Sequence, residues 1–275
     1  MTTIDPKLLA PAEPSPAAVI LDALKQRVLA VQTYTLFSAR SVANLFSPPM
    51  YLVDTFDQMD VIGVGSLPIV LLTGFFIGAV MVLQTASQFE RFGETTLTGD
   101  VVSIALVREL GPTITGLLVA GRNASGMASE LGSMLVTEQV DAMRAMGTDP
   151  TRKLVTPRVI ATILMLPLLT AMADFVGLVG GFMVSHFTLR LGAVTFWTRA
   201  IKALEFSDLM QGLTKPLVFG FILSTVGCYY GLTVRGGTQG VGRATTQAVV
   251  ASSVFILVAN FFLTKVMLYL AGHYF

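Results

Sequence analysis

The chain has 275 residues, of which 53% are hydrophobic and 13% charged, with mean hydropathy +0.71. Soluble domains carry about 25% charged residues, so a content near half of that points to lipid as the surrounding solvent. A net charge of +1 argues against a nucleic-acid partner, the single Cys228 excludes an intrachain disulfide, and two distant histidines, His186 and His273, argue against a zinc site.

Residues 1–16 are polar and Pro-rich, with no apolar core before a small-residue cleavage site, and are expected to be a disordered tail. Residues 17–59 read as an amphipathic helix and a connection. Ile20, Leu24, Val28 and Val31 recur at helical spacing, with Asp22, Lys25, Gln26 and Gln32 on other faces. Such a helix is too polar to span and suits the headgroup region, or the surface of a partner. A spanning helix needs about 20 mostly apolar residues. Runs poor in charge place five spans within residues 60–275. They are Val61–Phe89, Val101–Gly121 (crossed by Arg108 and Glu109), Val159–Leu189 (interrupted by Asp174), Pro216–Val234 and Ala244–Thr264. The expected fold is an all-α integral membrane protein. An N-terminal interfacial helix precedes five transmembrane helices, with a short cytoplasmic helix between spans two and three.

Basic residues orient the chain. With the N-terminus in the cytoplasm, the cytoplasmic side receives Lys7, Lys25, Arg27, Arg40, Arg122, Arg144, Arg152, Lys153, Arg158, Arg235 and Arg243. The other side receives Arg91, Arg190, Arg199, Lys202, Lys215 and Lys265, which favours N-in and C-out.

Charges at membrane depth are costly and tend to be paired and functional. Arg108 and Glu109 are the first such pair. Adjacent helical residues point about 100° apart, so each can pair across helices, meet a polar headgroup or serve structure at the membrane edge. Pro112 follows, where a kink can widen a cavity. Asp174 is the second buried charge, with a structural hydrogen-bonding role expected ahead of an ion relay. Gly74 and Gly78, Gly116 and Ala120, and the cluster Gly177, Gly180 and Gly181 mark close helix contacts. The glycines of RGGTQGVGRATT lack the lysine and strand context of a phosphate loop, so the segment reads as a cytoplasmic turn.

TEQVDAMRAMGTDP, residues 137–150, reads as a helix of about ten residues. Thr137 caps it, Glu138 and Asp141 lie at its positive end and Arg144 at its negative end. Gly147 ends it, and Pro150 prevents continuation. A helix so short is marginal alone and has to dock. Val140, Met143 and Met146 supply the apolar contacts, either into an ATPase groove or onto the chain's own bundle.

ALVRELGPTITGLLVAGRNASGMASELGSM, TEQVDAMRAMGTDPTRKLVTPRVIA and GVGRATTQAVVASS together resemble the MlaE/YrbE permease family of ABC transporters. The resemblance makes residues 60–275 the permease domain. It implies a homodimer in the bacterial inner membrane, moving phospholipid between inner and outer membranes to maintain outer-membrane lipid asymmetry. Implied partners are an ABC ATPase subunit that carries ATP and Mg, a STAS-domain subunit and a periplasmic MCE-domain hexamer. It implies no cofactor and no enzyme activity in this chain. It also places Arg108 and Glu109 at the headgroup side of a lipid cavity, with Met81, Gln88, Phe89 and Phe92 along the lipid path. QTASQFERFGETT is more polar there than a purely apolar lining. The segment from Glu138 to Met146, with Val140, Asp141, Met143 and Arg144, matches the coupling region. An ion-coupled transporter of an amphiphile and a non-transporting membrane scaffold are the other readings.

Overall fold

The computed structural model describes residues 16–45, 48, 51–190 and 192–274. The expected tail 1–16 therefore lies outside the described residues, apart from Pro16. Every described element is a helix, as lipid demands, because a helix satisfies its backbone polar groups within one segment.

Helix α1 (Pro16–Leu45) matches the expected amphipathic helix, and its described N-terminal two-thirds is exposed. Residues 52–59, expected to be connection, instead form most of α2 (Leu52–Ile62). This helix leads through a 3-10 turn, Val64–Ser66, into α3 (Leu67–Glu90) to make span one. Pro68 fits the first turn of α3, where a missing N–H costs no intrahelical bond. The carbonyls freed at the break find donors on span two: Arg122 Nη1 donates to Val61 O and Asn123 Nδ2 to Ile62 O.

Span two is one long helical rod, Thr95–Val136. It consists of α4 (Thr98–Ala105), a π-turn at Leu106–Leu110, α5 (Gly111–Val119), a second π-turn at Ala120–Ala124, and α6 (Ser125–Val136). Arg122, expected in a loop, thus lies within the helix. The loop itself shrinks to α7 (Gln139–Ala145) and its flanks. A third π-turn, Thr151–Val155, opens span three, which continues as α8 (Thr156–Leu189). Then come α9 (Ala193–Ala203), α10 (Phe206–Leu232) as span four, and α11 (Gly237–Tyr274) carrying span five. All five expected spans are present, each on a helix longer than the expected apolar stretch, although α10 ends at Leu232, two residues short of Val234.

Two elements depart from expectation for physical reasons. Helix α9 stands where a loop was read; its Phe196 and Ala200 are buried with Val82, Val102 and Leu106. Span four begins at Phe206 and not at Pro216. Pro216 is inside the helix, and Asp208 closes a reciprocal capping box with Glu205 at its start. Lys215 and Asp208 consequently belong to a spanning helix. The turn expected over 235–246 is mostly the first part of α11.

Spans one and three pack most closely. A Cβ on Gly74 would lie 2.6 Å from the Ala173 carbonyl oxygen, and one on Gly78 would overlap Gly177. Small residues let these backbones approach where apolar burial gives no drive between helices.

Candidate functional site

Pro112 organises the site. It has no N–H to offer the carbonyl four residues earlier, that of Arg108. Lys215 Nζ, arriving from α10, donates to that carbonyl at 2.7 Å. The same ammonium lies 2.7 Å from Glu109 Oε1, and the Lys215 side chain is 0% exposed against 37% for Glu109. Glu109 also accepts from Thr264 Oγ1 at 3.1 Å and from Asn260 Nδ2 at 3.3 Å, both on α11. Arg108 turns to the other side and pairs with Asp208 at 3.5 Å, with side-chain exposures of 27% and 6%. The two adjacent charges therefore pair across helices and not with each other.

The π-turn makes this possible. One extra residue in the turn loosens the helical ladder and rotates the following side chains. Two cations and two anions balance at membrane depth, so the network carries no net charge, while Arg108 and Glu109 keep part of their surface open. Arg108 presents a planar set of donors suited to paired oxygens.

An apolar groove of about 440 Å³ lies between span one and Leu110 of span two, lined by Leu72, Thr73, Phe76, Ile77, Val80, Met81 and Leu110. Met81 thus shares a groove with the neighbour of Glu109. Phe89 is half-buried near the end of α3, Gln88 is exposed and Phe92, just beyond, is 77% exposed. The structure therefore sets Met81 in a groove with Leu110 on the span-one side of span two, while Arg108 and Glu109 pair toward α10 and α11, and it sets Gln88, Phe89 and Phe92 farther along span one. Lys215, Asp208, Asn260 and Thr264 were missed in the sequence. The signal for Lys215 was its position before Pro216 in an otherwise apolar run.

Asp174 is buried, and its Oδ1 has no hydrogen-bond partner among the described residues, so the expected structural bond is not seen there. Gly111 faces it, and any Cβ there would collide with the carboxylate.

The segment 138–146 divides into two faces. Val140 is 0% exposed, in a core with Met127, Leu131, Leu154 and Val155, and Met143 packs against that core. Glu138, Asp141, Arg144 and Met146 are exposed, Met146 at 75%, and Arg144 donates to Asp141 at 2.7 Å. Helix α7 has seven residues, not ten. Thr137 does not cap it: its hydroxyl donates back to Ser133 O, and the turn is made by Glu138 at φ 61°. Gly147, at φ 76°, ends the helix as expected.

The family model for the MlaE permease matches residues 55–266, nearly all of the bundle just described. The chain belongs to the MlaE permease family. A probable ABC transporter permease protein of Rickettsia typhi is 43% identical over 237 residues, covering 86% of this chain and 92% of the relative. Protein TRIGALACTOSYLDIACYLGLYCEROL 1, chloroplastic, of Arabidopsis thaliana is 38% identical, covering 84% and 66%. The intermembrane phospholipid transport system permease protein MlaE of Haemophilus influenzae is 35% identical over 211 residues, covering 76% and 81%. As a member of this family the chain is the permease of an ABC transporter, a multi-pass membrane protein.

Proposed function

We propose that this MlaE-family chain is the membrane half of an ATP-driven phospholipid transporter. It works as a homodimer in a bacterial inner membrane, and its transport maintains outer-membrane lipid asymmetry. The observation that carries the reading is a charge-balanced network within the bundle, open at Arg108 and Glu109, on a span whose next residue, Leu110, lines an apolar groove. A phospholipid has the matching parts: a phosphate for Arg108, an amine for Glu109 and acyl chains for the groove that Met81 lines. Gln88, Phe89 and Phe92 extend that path along span one.

ATP and Mg belong to a separate ATPase subunit docked on the exposed face of α7, through Glu138, Asp141, Arg144 and Met146. Val140 and Met143 tie that helix to spans two and three. A STAS-domain subunit and a periplasmic MCE-domain hexamer complete the assembly. The N-terminus is cytoplasmic. Counting only basic residues outside the spanning helices leaves Lys7, Lys25, Arg27, Arg40, Arg144 and Arg235 on the α7 side against Arg91, Arg190, Arg199 and Lys202 opposite, which supports this orientation.

The test compares Arg108→Ala, Glu109→Ala and the double variant for expression, dimer stability, bound ATPase and co-purified phospholipid. The reading requires at least one variant that is stable and binds its ATPase yet carries little lipid. Lipid loss that always tracks loss of stable protein makes the network structural.

A further inference from the structure

Arg122 lies 14 residues from Arg108 on the same rod, so about 21 Å separates them along the helix. It stands at the α7 end of span two's apolar stretch, inside the second π-turn. One nitrogen, Nη1, holds it in place, donating to Val61 O and Ser66 Oγ at 3.0 Å and to Asn123 Oδ1 at 3.1 Å. Nη2 and Nε make no hydrogen bond to any described residue, and no carboxylate pairs with the group. Glu130, two turns on, is taken by Arg158 at 2.7 Å.

One face of the Arg122 guanidinium lies on Gly65, where a Cβ would come 2.5 Å from Nη2, and the space one helical turn on is open. A side chain added at Gly126, four residues on, would meet nothing within 4 Å. An apolar stripe runs toward Arg122 from the groove that Met81 and Leu110 line. Leu110, Ile114 and Leu118 are spaced by four, each half-buried, with Arg122 as the next member. The stripe starts in that groove and ends at a guanidinium with free donors.

We propose that Arg122 is a second binding station for an anionic phosphate headgroup, at the α7 end of span two, with the acyl chains along Leu118, Ile114 and Leu110. Charge decides the occupant. A guanidinium on an open face at the edge of the bilayer attracts an anion, and phosphate oxygens match its paired donors. The inference rests on the proposed lipid function and deepens it by giving that lipid two stations.

A photo-crosslinking residue placed at Gly126, and separately at Met81, tests this in cells grown with radiolabelled phosphate. Covalent capture of lipid distinguishes a phospholipid from free phosphate, which leaves no label. Both positions are expected to capture phospholipid, while Val250, exposed on α11, captures far less. Arg122→Gln should lower label at Gly126 about tenfold, the scale of one charge-assisted hydrogen bond, and leave Met81 label unchanged. Arg122→Lys, which keeps the charge but loses the paired donors, should retain part of it. Equal labelling at Gly126 and Val250, capture of a second copy only, undiminished label in Arg122→Gln, or equal loss in the lysine variant overturns the station. Label at Met81 without label at Gly126 removes the station and leaves the proposed function standing; label at neither removes both.

Discussion

Lys215 illustrates how a residue's meaning depends on what folds against it. A span reading that stops at charge ends before it, because a lone ammonium in hydrocarbon is expensive. The bundle changes this by supplying Glu109 and the Arg108 carbonyl, both at 2.7 Å, around a side chain with no exposed surface. Removing the Glu109 carboxylate strands the fully buried Lys215, at a cost of about 3–5 kcal/mol. Removing Lys215 costs less, because Glu109 keeps its bonds from Thr264 and Asn260 and part of its surface is open. We therefore expect Lys215→Met and Glu109→Gln each to lower the thermal midpoint of the detergent-solubilised protein, Glu109→Gln the more sharply. The double variant, which leaves no unpaired charge, should recover much of the loss. Additive losses in that double-mutant cycle would mean that the two groups do not act as a pair. The sequence made Arg108 and Glu109 legible because their charges interrupt an apolar run. Their partners were hidden because Asp208 and Lys215 lie on a helix start that looked like a loop.

At the scale of elements, α7 and α9 show what local pattern conveys and what it leaves out. The helix-stop signal of Gly147 was readable, since a left-handed residue there favours glycine. The start of α7 was not, because Glu138 takes a left-handed conformation that its side chain gives no reason to expect. Nor does spacing say which side of a short helix faces home. Val140 faces the chain's own core and Met146 faces out. Helix α9 was missed although Ala193, Phe196, Trp197 and Ala200 recur at helical spacing, because its two basic residues, Arg199 and Lys202, were read as loop. Met146→Asp should consequently leave the permease folded while releasing the ATPase from the purified complex, since a carboxylate placed in an apolar contact lacks a partner. An ATPase held at normal stoichiometry would move the docking surface off Met146.

For the whole molecule, five spans and the balance of basic residues were legible because hydrophobic length and charge are properties of the chain itself. The glycines of spans one and three also marked close contacts, though not that they meet each other; the break at Gly63–Ser66 and the π-turns were not legible, because each depends on a neighbour that fills or satisfies it. With N-in orientation, a reporter fused after Phe275 should act on the periplasmic side, and cytoplasmic activity would reverse or shorten the topology. The central claim is that this bundle moves phospholipid at the expense of ATP hydrolysed elsewhere. The direct measurement is movement of a labelled phospholipid in proteoliposomes holding the chain with its co-purified ATPase. The account predicts movement that requires ATP, stops when the ATPase is omitted, and falls at least about tenfold with a stable, ATPase-bound Arg108 or Glu109 variant. Lipid movement that is indifferent to ATP, or a wild-type complex that hydrolyses ATP without moving lipid, would contradict it.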